Sequence, residues 1–373
     1  MNEKNFFLHS SGISLLTNFI YKNEIDLKPY NYSNLTEKEI DRDIKKQFED
    51  IFNSLKKEVL ENKNNFEILK KMSAELNALF NYTNNLQDIS EKDTHFLLHT
   101  DTYLGKRTAE IISDLLKSYG LSANTITYKD LRTNDFEEFL ISLSDLIKNL
   151  SETLEAYAKS GYRIIFNLTG GFKSINSFLQ TMASLYADES IYIFETGNSL
   201  LRIPKLPIKI DEDIFRANIN LFRKLELGIY PDLIEKKIKK IPEILYTKVS
   251  NEYSLSVWGE LLWQKIKKEL YMKDLLKPIS KRIIYTDEFN KSIKNLSPHE
   301  LYQLNKTLDE LELCLFNNFE KCLNSLRLKT LEGKIKEKYT HEIYPFDGND
   351  SRRLFVRKDN DKLNLIKIDK HLK

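Results

Sequence analysis

Three short apolar runs in the first half of the chain each end at small hydroxyl residues or glycine and pass straight into a stretch of helical spacing. They are Asn5–His9 before Ser10-Ser11-Gly12, His95–His99 before Thr100-Asp101-Thr102, and Arg163–Phe166 before Asn167-Leu168-Thr169-Gly170-Gly171. Strand, tight turn and helix in repetition build a doubly wound, largely parallel α/β sheet. Further strands are expected at Asn124–Tyr128, Ser190–Glu195 and Leu200–Ile203. Helices are expected at Lys106–Tyr119, Phe136–Lys159 and Phe172–Tyr186. Between about 35 and 90, Ile40, Ile44, Phe48, Ile51, Phe52 and Leu55 recur at helical spacing and predict an insertion of two long helices. This first domain spans residues 1–210.

Composition narrows the class. Gly and Pro number only 19 in 373 residues, which favours long helices over a many-turned sandwich. The longest apolar runs are four or five residues, as at Ile191–Phe194, against about 20 for a membrane-spanning helix. The charged start Met1-Asn2-Glu3-Lys4 predicts no signal peptide. Cys314 and Cys322 lie eight apart in a helical-looking stretch. Two helical turns hold them about 12 Å apart, which predicts reduced thiols in a cytoplasmic protein. Net charge is +2, but residues 321–373 hold 14 Lys or Arg against 8 Asp or Glu. That basic end reads either as a solvated surface or as an approach to a polyanion.

Residues 211–280 read as helical, broken at Gly228 and Pro231, with a Ser256-led helix Val257–Leu270. They predict a small helical or winged-helix linker domain. From Arg282 a short strand, helices at Phe289–Asn295 and Pro298–Phe319, and strands at His341–Phe346, Arg353–Arg357 and Leu363–Ile368 predict an α+β domain over 281–373.

Ligands bind an open α/β sheet beyond the carboxyl ends of its strands. The turns expected there offer backbone amides near Gly12, Gly170 and Gly171, several hydroxyls, and Lys173 at a helix start, a chemistry suited to phosphate. No turn fits GxGxxG or GxxxxGK[ST], which disfavours a dinucleotide enzyme or an NTP motor. The segments Ser11–Asn18 and Asn167–Ser174 resemble the two ligand-facing motifs of CARF domains, the CRISPR-associated Rossmann-fold sensors. Leu98–Thr102 and Ile203–Pro207 resemble further parts of that family. The resemblance implies a homodimer that binds a cyclic oligoadenylate, with cyclic tetra-adenylate the expected ring, as activator rather than cofactor. It implies a ligand-binding set of Ser11, Gly12, Ile13, Ser14, Thr100, Asp101, Asn167, Thr169, Gly170, Gly171 and Lys173. Some members degrade their ligand.

The basic end carries Arg352, Arg353 and Arg357 on one expected strand, Lys334 and Lys336 before it, and His371 after it. RNA scission through the 2′-hydroxyl needs a base, an acid and cations around the phosphorane. Strand alternation sets Arg353, Phe355 and Arg357 on one face and Arg352 on the other. HExxH, paired CxxC and nuclease-like carboxylate clusters are missing from the sequence, which predicts metal-independent chemistry. Ile284–Ile293, Leu326–Gly333, Arg352–Val356 and Leu365–His371 resemble the parts of RelE/HigB-type mRNA interferase toxins, which share the microbial ribonuclease fold. Those toxins cut mRNA in the ribosomal A site. The resemblance implies Arg353 as the phosphate-stabilising arginine, with Arg352, His371, Lys334 and Lys336 as further catalytic candidates. The second strand departs from the family with His341 and Glu342 where some members carry lysines. The expected whole is a Rossmann-like sensor, a linker and a RelE-like endoribonuclease acting in type III CRISPR defence. The alternative is a ligand-responsive, nucleic-acid-binding regulator that works through Val257–Leu270.

Overall fold

A computed structural model describes residues 4–133, 135–194, 199–249, 251–317, 319, 326, 328–332, 338–348 and 350–370. The chain divides into two compact units, Met1–Lys209 and Ile210–Lys373.

The first unit runs β1 (Lys4–Ser11), α1 (Ser14–Lys22), α2 (Arg42–Glu61), α3 (Phe66–Met72), α4 (Ala74–Tyr82), β2 (Thr94–His99), α5 (Tyr103–Ser118) and β3 (Ser122–Ile126). It continues with α6 (Phe136–Lys159), β4 (Tyr162–Asn167), α7 (Lys173–Tyr186), β5 (Glu189–Ile193) and β6 (Leu200–Pro204). Its sheet has the order β3-β2-β1-β4-β5-β6, parallel except for the antiparallel edge strand β6. The chain winds one way from β1 through β2 to β3 and the other way from β4, so the topological switch point lies between β1 and β4. Phe6, Phe7 and Leu8 are fully buried, as a central parallel strand covered on both faces requires.

Helix starts follow their capping residues. Asp41, Thr102 and Asp135 each accept backbone N–H bonds that the first turn leaves unpaired. The insertion differs from expectation. It forms one long helix and two short ones, because Ser73 is extended and its hydroxyl accepts the amide of Leu76, starting α4 anew.

The second unit holds α8 (Glu212–Ala217), α9 (Ile219–Leu227), α10 (Pro231–Glu235), β7 (Tyr246–Val249), β8 (Glu252–Leu255) and α11 (Val257–Lys273). Then come β9 (Ile283–Tyr285), α12 (Asp287–Ser292), α13 (Pro298–Asn317), β10 (Lys329–Thr330), β11 (His341–Ile343), β12 (Arg352–Asp359) and β13 (Lys362–Lys370). The hairpin β7–β8 corrects the all-helical reading of 211–276. The second sheet has five strands in the order β10-β11-β12-β13-β9, with β9 parallel to β13, where three antiparallel strands were expected. Cys314 is disulfide-bonded, against the expected free thiol. The helical spacing behind that expectation does not apply, because α13 ends at Asn317; Cys322 lies outside the described residues.

Residues 211–280 and α13 share one buried polar core. Arg223 is fully buried, and its Nε donates to Asp309 Oδ1 at 2.6 Å. Its Nη1 donates to Asn220 Oδ1 and to the carbonyl of Lys277. The hydroxyl of Tyr271, on α11, donates to the other oxygen of Asp309. Glu226 on α9 accepts from Trp263, Gln264 and Lys267 on α11.

Removing one member of a buried pair strands the other charge, at a cost of about 3–5 kcal/mol. Arg223→Ala is therefore expected to lower the unfolding midpoint of the second unit by that amount in calorimetry of the full chain. The paired change Arg223→Met with Asp309→Leu is expected to recover most of the loss.

Candidate functional site

The carboxyl edge of the first sheet is closed by a side chain that the sequence reading passes over. Glu75, in the first turn of α4, is 1% exposed and reaches into the β1–α1 turn. Its Oε1 accepts the Gly12 amide at 2.7 Å, and its Oε2 accepts the hydroxyls of Ser14 at 3.0 Å and Ser73 at 2.7 Å. A Cβ on Gly170 would stand 2.1 Å from Glu75 Oε1, and one on Gly12 would stand 2.9 Å from the amide nitrogen of Gly171. Gly171 has φ +85° and lies against Ser10. These three glycines thus let two turns and a carboxylate pack together, and the Gly12 amide expected to meet phosphate already has an anion. Ser73, a capping residue inside an apolar-periodic stretch, was the signal available for this.

The other expected ligand residues divide between buried and open positions. Asn167 is fully buried; its amide donates to His9 Nδ1 at 3.0 Å and to the carbonyl of Glu75 at 2.9 Å. Because His9 Nδ1 accepts, Nε2 carries the proton and donates to His95 Nδ1 at 3.0 Å. Burial drives His9 down to about 3 and His95 well below its ordinary value, so both rings are neutral. Ile13 and Ser11 are buried, and the Ser11 hydroxyl has no partner among the described residues. Thr100 is buried, with its Oγ1 2.9 Å from that of Thr102. Asp101 accepts the amide of Asp130 and so ties down the loop after β3. Thr169 is partly exposed and its hydroxyl accepts the amide of Ile193. Lys173 is exposed at the first residue of α7, with no partner among the described residues.

In the second unit, adjacent arginines have different surroundings. Arg352 lies between Asp350 and Glu300, whose carboxyl it holds down to about 2 through its hydrogen bond, and covers the ring of Phe346. Arg353 makes no ion pair among the described residues. Its Nη1 donates to the carbonyls of Asp350 and Arg352 at 2.8 Å, and its guanidinium carbon lies 3.6 Å from the centre of the Tyr344 ring. Hydrogen bonds from Lys329 first, and then from Arg353, hold the Tyr344 phenol below its usual range. Tyr344 and Lys329 were absent from the expected set. Glu342 is buried and pairs in register with Phe355 on β12. Lys334, Lys336 and His371 lie outside the described residues.

Residues 70–206 match the family described as CRISPR-associated protein (Cas_APE2256). That segment covers β2 to β6 and Glu75, and the match supports a CRISPR-associated protein. Among solved structures, the protein VC1899 from Vibrio cholerae is similar at 12% identity over 78% of this chain and 76% of that one, with a TM-score of 0.25. A likeness at that score defines neither fold nor activity. No helix among the described residues is long and apolar enough to cross a membrane.

Two outcomes check the turn. Gly170→Ala is expected to destabilise the first unit by about 1–3 kcal/mol through overpacking. The loss should shrink in a Glu75→Ala background, as a double-mutant cycle in urea would measure.

The histidine pair sets a pH dependence. Above roughly 6.5 the rings are neutral whether folded or unfolded. Below it only the unfolded chain takes up their protons, down to the folded value of about 3 for His9. Stability is therefore complete above pH 6.5 and falls as pH drops, by up to about 1.4 kcal/mol per pH unit per histidine. A urea midpoint that stays flat between pH 7.5 and 5 would contradict this arrangement.

Proposed function

We propose that the chain is a cyclic-oligoadenylate-gated endoribonuclease of type III CRISPR defence, a sensor joined to a RelE-like toxin. In this reading two copies pair through the first unit and hold the ring ligand at the carboxyl edges of their sheets, with Lys173 as an exposed cation. The second unit cuts mRNA, in the ribosomal A site and without a metal. The observation that carries the chemistry is Arg353. It is held in place by two carbonyls and an aromatic ring, while no carboxylate among the described residues neutralises it. A fixed guanidinium with spare charge suits a scissile phosphate.

Tyr344, the titratable group against Arg353, is the candidate to exchange a proton with the RNA. Attack of the 2′-oxygen on phosphorus breaks the bond to the 5′-oxygen. One proton leaves the 2′-hydroxyl and one must reach the departing oxygen. The products are a 2′,3′-cyclic phosphate and a 5′-hydroxyl end. The match of residues 70–206 to a CRISPR-associated family supports the setting. The regulator alternative gains no support, since α11 leaves only Trp258, Glu269 and Lys273 exposed.

With activator and translating ribosomes present, Arg353→Ala is expected to slow mRNA cleavage about 10²–10³-fold while the protein stays folded. Arg352→Ala, which frees Asp350 and Glu300, is expected to lower the melting temperature more than the cleavage rate. A folded Arg353→Ala protein that cleaves like wild type would overturn the ribonuclease reading.

A further inference from the structure

With Glu75 filling the β1–α1 turn, an anion entering the first unit needs another place. A cleft of about 840 Å³ opens over the carboxyl ends of β2 and β3, walled by α5 and by the segment leading into α2. That volume is far more than a free phosphate needs and lies in the range of pockets for small organic ligands. Its rim carries Lys38 and Lys106, both exposed and neither in an ion pair among the described residues. Lys45 is also there, held 2.7 Å from Glu37.

The floor has the opposite character. His99, at the end of β2, lines the cleft and is 4% exposed. Its Nδ1 lies 2.8 Å from the carbonyl of Thr100. A carbonyl only accepts, so Nδ1 carries the proton and Nε2 presents a bare lone pair. Nε2 has no partner among the described residues. Burial lowers the affinity of this ring for a second proton, which keeps that lone pair available at neutral pH. Phosphate oxygens, themselves acceptors, gain nothing from it; a hydroxyl or an amine does. Thr125 and Thr127 add hydroxyls nearby.

We propose that this cleft is a nucleotide site. The phosphate of the ligand lies against Lys106 and Lys38 at the rim, and an O–H or N–H of its nucleoside part donates to His99 Nε2 on the floor. This goes beyond the glycine turns of the sensor reading and does not depend on the ribonuclease reading.

The test is calorimetric titration of the full chain, without RNA, using AMP, ribose 5-phosphate and inorganic phosphate as probes. AMP is expected to bind more tightly than the other two. Lys106→Ala, an exposed change that leaves the fold intact, is expected to weaken AMP about ten- to hundred-fold. His99→Gln is expected to weaken AMP about ten-fold while leaving the weak binding of inorganic phosphate unchanged. The melting curve of each variant shows that it is folded. Failure of AMP to bind, or AMP affinity unchanged in Lys106→Ala, would overturn the site. Equal binding of ribose 5-phosphate and AMP would overturn the nucleoside assignment. Cleavage of mRNA is not read here, so a failed titration and a failed ribonuclease assay remain distinguishable.

Discussion

A carboxylate taken out of water must be met by donors on every side, and Glu75 imposes that condition on the first unit. One backbone amide and two hydroxyls answer it. The arrangement works only if α4 begins at Ser73, if Gly170 carries no side chain, and if the turns after β1 and β4 touch. The switch point of a doubly wound sheet is ordinarily the place with loose backbone donors and room for a ligand. Here an internal anion holds those donors, and open volume shifts to the neighbouring pair of strands.

The second unit follows the same rule at two places with opposite results. Arg223 and Asp309 are buried together, so the charges offset each other and the pair acts as a joint between α9 and α13. Arg353 is only partly buried and is oriented by neutral partners, so its charge is spent on no neighbour. Arg352, one residue away, has two carboxylates and holds β12 against the start of α13. A strand that alternates its faces can in this way give adjacent identical side chains a structural task and a chemical one.

Much of this architecture is legible in the sequence, because it rests on local signals. Helix α6 begins and ends where spacing predicts, at Phe136 and Lys159, since Asp135 caps it and its apolar stripe is regular. The parallel strands follow from apolar runs that end in turns. The hairpin β7–β8 was not legible: its strands are four residues long, and its turn residue Asn251 has positive φ without the Asn-Gly signature. Glu75 was hidden for a different reason. Its partners lie about 60 residues away in the chain, so its role exists only after the sheet and the insertion have met. The same holds for Tyr344 and Arg353, which lie on neighbouring strands joined by a loop. Residue type alone marked Arg353 as chemical, but only the fold distinguishes it from Arg352.

The joint between Arg223 and Asp309 also bears on how such chains are assembled in evolution. Recombination that exchanged one effector for another at residue 280 would leave an unanswered charge inside each fragment, and hybrids cut there would be poorly folded and soon lost. A crossover near residues 209 and 210 separates no such pair. Sensors of this kind are thus expected to be inherited apart from their effectors, while the helices of 211–280 travel with the strands that follow them as a single heritable cassette.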